Sequence, residues 1–225
     1  ASSSNLGFLA TNLARFASAM QAIEQQDIAT AQNISTQLDA DLWRLSQSVR
    51  DAEAIQPKEK LKEPHKSLVM PDALPKPLVS NLSIMSPELR ASILLMNKKL
   101  VAAKELFASA LQEEKDLGYH EPPAYIRPVA ETEAAMLMSA GAWDDAKAAY
   151  RKALVARPNS GFPLYGIARC SEESGDTTAA TSEYAAFITA WKDADSELPQ
   201  MEHSRAFLAQ HQVLAARRLP FALSG

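Results

Sequence analysis

The sequence predicts an all-α fold of stacked helix-turn-helix repeats, an α-solenoid of about three to four repeats with a C-terminal capping helix. The composition agrees, with 47% hydrophobic residues, 22% charged residues and only 7 glycines. A fixed period of 20 to 50 residues is typical of a supersecondary unit that buries its apolar face by stacking. The same residue types recur 34 positions apart, at Ala134 and Ala168, Gly141 and Gly175, Ala146 and Ala180, and Tyr150 and Tyr184.

The N-terminal part of the chain contains a divergent first repeat, predicted over residues 10–45. Ala19 precedes a polar turn at residues 25–27, and Ala31 leads to Leu38. A Pro/Lys-rich loop is predicted over residues 50–82, because its prolines, among them Pro57 and Pro64, interrupt a continuous helix. Two interpretations of this loop stay open: an arm that faces a partner or regulates, and a connection that only joins two helices.

Three clearer repeats follow. The second is predicted over 85–117, where Lys98 stands in place of the turn glycine. An insertion at 118–126 separates it from the third repeat at 127–158, which Pro158 ends, and the fourth repeat covers 160–195. Apolar residues at helical spacing predict a capping helix over 200–218. The apolar residues 219–223 that follow either dock back on the fold or form an oligomer contact.

The two best repeats resemble the tetratricopeptide repeat, in which small residues allow two helices to approach and glycine ends the first helix. The segment between the second and third repeats reads Tyr119-His120-Glu121-Pro122-Pro123. With this Tyr-x-Glu-Pro-Pro signature, about residues 10 to 198 resemble the C-terminal part of large bacterial tetratricopeptide repeat proteins. The resemblance implies a fold and no reaction, because the biochemical role of that family is undefined. In the family, further helical repeats usually precede this segment.

Charge and hydropathy argue against two classes of partner. The formal net charge is −4, whereas a nucleic-acid-binding protein normally carries a basic surplus or stripe. No apolar run of about twenty residues predicts a membrane-spanning helix. The single cysteine, Cys170, allows no internal disulfide and is expected to be a buried small side chain. The compartment stays open between the cytoplasm and, if a signal peptide was removed, the periplasm or the exterior.

The sequence contains no complete catalytic or metal-binding pattern. Adjacent carboxylates such as Asp144 and Asp145 diverge by about 100° on a helix and cannot share a proton or a metal ion. None of the 4 histidines forms a His-Glu-x-x-His motif, and His203 with His211 is the only candidate metal pair. No nucleophile elbow or phosphate-binding glycine loop occurs. We therefore expect no enzyme activity, no metal and no cofactor.

A binding groove is what the resemblance implies, since the first helix of each tetratricopeptide repeat lines the concave side. Arg169, placed beside Glu131, would either anchor a carboxylate of a partner or pair internally. The groove would be either open or filled by the loop at 50–82, by the insertion around Tyr119 to Tyr125, or by upstream repeats. The residues expected to line it are Met85, Glu88, Leu95, Met96, Glu131, Met138, Phe162, Tyr165 and Arg169.

The function predicted from the sequence is a noncatalytic scaffold that presents a concave helical groove to a protein or peptide of unknown identity. The alternative is a structural C-terminal part of a larger tetratricopeptide repeat protein whose ligand or active site lies in upstream repeats. The apolar residues Leu6, Phe8, Leu9 and Leu13 favour this alternative, because they predict a helix face that another helix would cover.

Overall fold

The fold is all-α in the computed structural model, which describes residues 5–55, 76–118, 125, 127–195 and 197–218. These residues form nine helices and no strand, so the predicted fold class is confirmed at the level of all-α. None of the described helices has the length and apolar character that crossing a membrane requires. The helices are α1 (Asn5–Glu24), α2 (Ile28–Ile55), α3 (Lys76–Met96), α4 (Leu100–Asp116), α5 (Val129–Ser139), α6 (Trp143–Ala156), α7 (Gly161–Glu173), α8 (Thr177–Ala190) and α9 (Pro199–Arg218).

The helices belong to two compact units, Ala1–Val129 and Ala130–Gly225. In the first unit, α1 packs on α2 and α3, α2 packs on α3, and α3 packs on α4. In the second unit, α6 packs on α7, α7 on α8, and α8 on α9. The α5 helix, whose second residue opens this unit, connects to α6 through an ion pair between Glu133 and Lys152.

The turns between paired helices share one backbone geometry. A residue with positive φ ends the first helix of each pair: Gln26 (61°), Lys98 (59°), Gly141 (75°) and Gly175 (83°). The N–H of that residue donates to the carbonyl three positions earlier, and the next N–H donates to the carbonyl five positions earlier. This is the Schellman arrangement, which satisfies carbonyl groups that a helix end leaves without partners. All four helix pairs reverse direction through it.

Fully buried alanines flank each of these turns at constant distances. One lies seven positions before the positive-φ residue and the other five positions after it. A methyl side chain lets the two helix backbones approach closely, so a larger residue at these positions would separate the helices. The eight alanines, each 0% exposed, are Ala19 and Ala31, Ala91 and Ala103, Ala134 and Ala146, and Ala168 and Ala180.

An aromatic ring follows the second alanine by four positions in three of the four pairs, at Phe107, Tyr150 and Tyr184, and all three are buried. The first pair has Ser35 at this position, which is why its sequence pattern is the faintest. Tyr150 lies against α7 at Gly166, where an added Cβ would come within 2.3 Å of the ring. The packing of α6 on α7 therefore depends on the missing side chain at Gly166, which the sequence pattern did not single out.

The loop predicted over residues 50–82 is helical at both of its ends. The α2 helix continues to Ile55 and α3 begins at Lys76, while residues 56–75 lie outside the described part. Pro77 is the second residue of α3, and proline is tolerated in a first turn because its missing N–H has no intrahelical acceptor there. Pro87 lies inside α3 and the helix continues through it. Proline content thus overestimated the length of this loop.

Other predicted segments fall partly outside the described residues. Of the insertion at 118–126 the structure describes only Gly118 and Tyr125, and the Tyr-x-Glu-Pro-Pro signature at 119–123 and the apolar tail at 219–223 lie outside the described residues. The α9 helix contains all the residues of the predicted capping helix, 200–218, and begins at Pro199. It packs on α8, the second helix of the last pair.

The shared turn generates a prediction about Gly175 and Lys98. An added Cβ at Gly175 would meet no atom within 4 Å, so Gly175→Val acts through backbone strain. We expect it to lower the free energy of unfolding by at least about 1–2 kcal/mol, because an L-residue is strained at positive φ. Lys98→Gly, at the equivalent position of the second pair, should raise the stability by about 1 kcal/mol. Urea denaturation of the two variants measures both effects.

The matched control is Gly175→Asn, because asparagine tolerates the left-handed conformation and Asn159 of this chain adopts it with φ of 64°. It should cost clearly less than Gly175→Val. Equal losses for the two variants would mean that the conformation at this turn does not decide the stability of the α7–α8 pair.

Candidate functional site

Three of the predicted groove residues share one side of α7. Phe162, Tyr165 and Arg169 follow one another at spacings of three and four residues, which places them on the same helix face. We call this surface the α7 face. Phe162 is 64% exposed, whereas Tyr165 and Arg169 are half-buried. The face therefore combines an accessible aromatic side chain with a partly covered polar end.

Tyr165 packs into an aromatic cluster of the second unit. Its ring centroid lies 5.9 Å from that of Tyr184, 5.6 Å from that of Phe187 and 6.0 Å from that of His203. The ring also packs against the buried residues around Ala168. Burial raises the pKa of the Tyr165 hydroxyl. Tyr165 thus supports the packing of α7 on α8 in addition to any contact with a partner.

Arg169 is bound by acidic residues of its own helix. Its Nη1 lies 2.9 Å from Oε2 of Glu172, and its Nη2 pairs with Glu173. Its Nη1 also lies 3.2 Å from Nε2 of His203 on α9. Of the two roles that the sequence left open for Arg169, internal pairing is the one that the structure displays. The guanidinium is thereby held in place beside the Tyr165 ring.

Glu172 is the centre of this polar network. It accepts hydrogen bonds from the Tyr184 hydroxyl and from Nε2 of His203, the latter at 2.8 Å. Burial opposes the charged form of Glu172, but the hydrogen bonds from Tyr184 and His203 and the charge of Arg169 outweigh it and lower the pKa. An ionised carboxylate can only accept, so His203 donates to it through Nε2. The network joins α7, α8 and α9.

A second polar network joins α6, α7 and α8 through Ser171. Nζ of Lys147 lies 2.5 Å from Oγ of Ser171 and 2.8 Å from Oε1 of Glu183, and Ser171 donates to Oε2 of Glu183 at 2.6 Å. A serine–lysine pair activates a nucleophile only when the lysine is neutral and the serine is accessible. Here Ser171 is 1% exposed, and its hydroxyl already donates to Glu183. The arrangement supports packing and is unsuited to nucleophilic attack.

The residues predicted to line the groove in the first unit are mostly interior. Met85, Glu88 and Leu95 are buried, and Met96 is half-buried. Glu88 accepts a hydrogen bond from the hydroxyl of Tyr125. Burial first, and then the negative charge of Glu88, raise the pKa of Tyr125. These three side chains of α3 therefore belong to the core of their unit, and the expectation that they present a surface is corrected.

The remaining predicted residues, Glu131 and Met138, are half-buried on α5 in the second unit. Sequence reasoning missed His203, Glu172 and Ser171 as parts of joined networks. Their partners lie on other helices, and only the spacing of Arg169, Glu172 and Glu173 on α7 signalled a connection. Residues from different helices have no sequence spacing that reveals their contact.

The described residues hold no group of three or more histidine, cysteine or acidic side chains arranged to bind a metal ion. His203 is engaged with Glu172, and Nδ1 of His211 lies 2.8 Å from the carbonyl of Phe207. Cys170 is buried, as expected, and burial raises the pKa of its thiol to about 11. That shift disfavours the thiolate, which is the reactive form of cysteine.

Comparisons with protein-family profiles, with characterised proteins and with solved structures give no match for this chain. The resemblance to tetratricopeptide repeat proteins therefore rests on the residues and stays a prediction.

The lowered pKa of Glu172 generates a prediction about acid stability. A carboxylate whose pKa is lower in the folded state stabilises the fold above its ordinary pKa of 4.5, and this contribution is lost as the pH falls further. We expect Glu172→Gln to lower the free energy of unfolding by at most about 1 kcal/mol near pH 6 and to have little effect near pH 3. Melting temperatures measured across this range give the comparison.

The control is Glu105→Gln on α4, an exposed position away from the helix ends that should leave the pH dependence unchanged. The assignment of Glu172 as the acid-sensitive group of this network would be contradicted if the melting temperatures of the wild-type chain and Glu172→Gln differed by the same amount at every pH.

Proposed function

We propose that this chain is a tetratricopeptide-repeat-like helical scaffold that binds a protein or peptide and catalyses no reaction. Support for the repeat architecture comes from the four equivalent turns at Gln26, Lys98, Gly141 and Gly175. The buried alanines at constant distances from these turns support it as well. A helical repeat offers partners a surface formed by several helices, and protein recognition is a common use of such surfaces.

The observation that carries the binding proposal is the exposure of Phe162 on the α7 face. Aromatic residues and arginine are enriched in protein interfaces, where aromatic side chains supply most of the buried area. Phe162 is 64% exposed at the start of α7, and Arg169 ends the same face two turns later. A partner that covers Phe162 would remove its apolar surface from water, which is favourable at about 25 cal/mol per Å².

The charges around Arg169 indicate the chemistry of the partner. Two carboxylates, Glu172 and Glu173, already neutralise the guanidinium. A carboxylate of the partner would have to displace one of them, so the α7 face favours contact with apolar side chains over capture of a carboxylate. An amphipathic helix or an extended apolar segment fits this requirement. This proposal replaces the carboxylate anchor that the sequence left open at Arg169.

The absence of a catalytic role is supported by the state of the polar groups. Ser171 is buried and hydrogen-bonded to Glu183, which also pairs with Lys147. Glu172 is occupied by Arg169, His203 and Tyr184. Groups held in this way lack the accessible, partly unpaired nucleophile or base that catalysis requires. The proposal therefore includes no substrate and no cofactor.

Affinity capture with variants of two exposed apolar residues tests the binding proposal. Phe162→Ser should abolish capture of a specific protein that the wild-type chain retains, because it removes the aromatic surface that the partner covers. Val155→Ser on α6 is the matched control, since Val155 is 85% exposed and lies on another helix. It should retain the partner. Quantitative mass spectrometry of the captured proteins compares the three samples.

Both substitutions should leave the melting temperature nearly unchanged, because both side chains are mainly exposed. If every captured protein is retained equally by Phe162→Ser, the α7 face is not the binding surface. Tyr165 is unsuitable for such a variant, because its ring packs against Tyr184 and Phe187.

The second candidate function is that of a structural C-terminal part of a larger repeat protein. Leu13 of α1 favours it, because this apolar side chain remains 46% exposed in the first unit. A further helix packed on α1 would bury it, as neighbouring repeats do.

Thermal unfolding tests this candidate when the chain is expressed together with any natural sequence that precedes Ala1. We expect a higher melting temperature for the longer protein, and we expect Leu13→Ser to reduce the gain. Val101→Ser is the control, since Val101 is 73% exposed on α4. An unchanged melting temperature in the longer protein would count against an upstream partner for α1.

A further inference from the structure

An open cleft of about 420 Å³ lies between α2, α3 and α4 of the first unit. It is formed entirely by residues of this unit, whereas the α7 face belongs to the second unit. None of its lining residues is among those that the sequence analysis expected in a groove. The cleft is large enough for several residues of a peptide, because small-molecule sites begin at about 300 Å³.

Each long wall of the cleft is one face of a helix. The lining residues of each wall recur at the first, fourth, fifth and eighth positions of an eight-residue stretch, which is the spacing of a single helix face. From α2 these residues are Gln32, Ser35, Thr36 and Asp39. From α3 they are Arg90, Ile93, Leu94 and Asn97. The cleft is therefore elongated, and its length follows the two helices.

The cleft contains two cationic side chains that no described residue neutralises. Arg90 and Lys99 are exposed, and the part of the chain that the structure describes provides neither with an ion pair or a side-chain hydrogen bond. The cleft also contains one carboxylate, Asp39, which accepts a hydrogen bond from Ser86. One positive charge thus remains in excess in a chain whose net charge is −4.

Apolar and neutral polar groups occupy the space between the charges. Ile93, Leu94 and Leu106 provide apolar surface, and Ile93 is buried beneath the cleft. Gln32 and Asn97 contribute amide groups that can bond to a peptide backbone. A single phosphate or carboxylate would use one cation and none of the apolar surface. A peptide segment can use both.

We propose that this cleft binds an extended acidic peptide, with one carboxylate on Arg90, a second carboxylate on Lys99 and an apolar side chain between them. The α3 face from Arg90 to Asn97 is about 10 Å long at a rise of 1.5 Å per residue. An extended peptide in the polyproline II conformation advances about 3.1 Å per residue and has three residues per turn, so two acidic residues three positions apart span this length and lie on the same side of the peptide. The ligand is therefore an acidic–apolar–apolar–acidic segment.

A fluorescently labelled hexapeptide tests this proposal with the full chain. The peptide reads Gly-Glu-Leu-Ile-Glu-Gly, and fluorescence anisotropy reports its binding. We expect saturable binding that weakens as the salt concentration rises, because both contacts are between charges near the surface. The same peptide with both glutamates replaced by glutamine should bind at least about tenfold more weakly, a difference of about 1.4 kcal/mol.

Charge reversal within the cleft gives the decisive comparison. Arg90→Glu and Lys99→Glu should each lower the affinity for the glutamate peptide at least about tenfold. Each variant should also bind a peptide with lysine in place of glutamate more tightly than the wild-type chain does. Both positions are exposed, and Lys99 is the N-cap residue of α4, where a negative charge favours the helix. The melting temperatures should therefore stay close to that of the wild-type chain.

The matched control is Arg151→Glu on α6, an exposed position of the second unit that should leave the affinity unchanged. Four results would overturn the proposal: no saturable binding, equal binding of the glutamine peptide, retained affinity in both cleft variants, or an equal loss in Arg151→Glu. Competition by inorganic phosphate or free glutamate at the concentration of the peptide would identify a simple anion site instead. If the capture experiment with Phe162→Ser shows that the α7 face is not a binding surface, the peptide experiment is unaffected, because the cleft belongs to the other unit.

Discussion

Both units depend on the same constraint, a helix reversal through one positive-φ residue that has a fully buried alanine in the helix before it and another in the helix after it. The two backbone hydrogen bonds of the Schellman turn set the direction in which the chain returns. Alanine then permits close approach, and an aromatic ring such as Tyr184 fills the space beside it. Glycine makes the turn without strain at Gly175, while Lys98 accepts strain in the same conformation. The four turns therefore share one geometry although the residue with positive φ differs between them.

The polar groups of the second unit are arranged to satisfy one another. A charge that is partly removed from water is costly unless it is paired and hydrogen-bonded. Glu172 meets this requirement through Arg169, Tyr184 and His203, and Lys147 meets it through Glu183 and Ser171. These contacts join consecutive helices and fix their relative rotation. Ser171 is buried and bonded to Glu183, and Glu172 is paired with Arg169, so neither side chain is free to act as a nucleophile or a base in this arrangement.

The two candidate binding surfaces follow from what remains after packing. On the α7 face the polar end is occupied internally, and Phe162 is left as an apolar contact. In the cleft of the first unit the apolar floor is partly covered, and Arg90 and Lys99 are left as charges without described partners. The first surface fits an apolar partner segment and the second fits an acidic one. Each belongs to a different unit, so the two proposals can be tested independently.

By itself, the sequence determined the all-α class, the positions of the turns and the small residues beside them. These features depend on local backbone conformation and on spacing along one chain, both of which are visible in a single sequence. Only the tertiary structure decided which helix faces are covered. Met85, Glu88 and Leu95 were expected at a surface and are buried, and His203 meets Arg169 across 34 residues. The reason is that burial depends on the rotation of each helix against its neighbours, and that rotation is set by contacts between residues far apart in the chain.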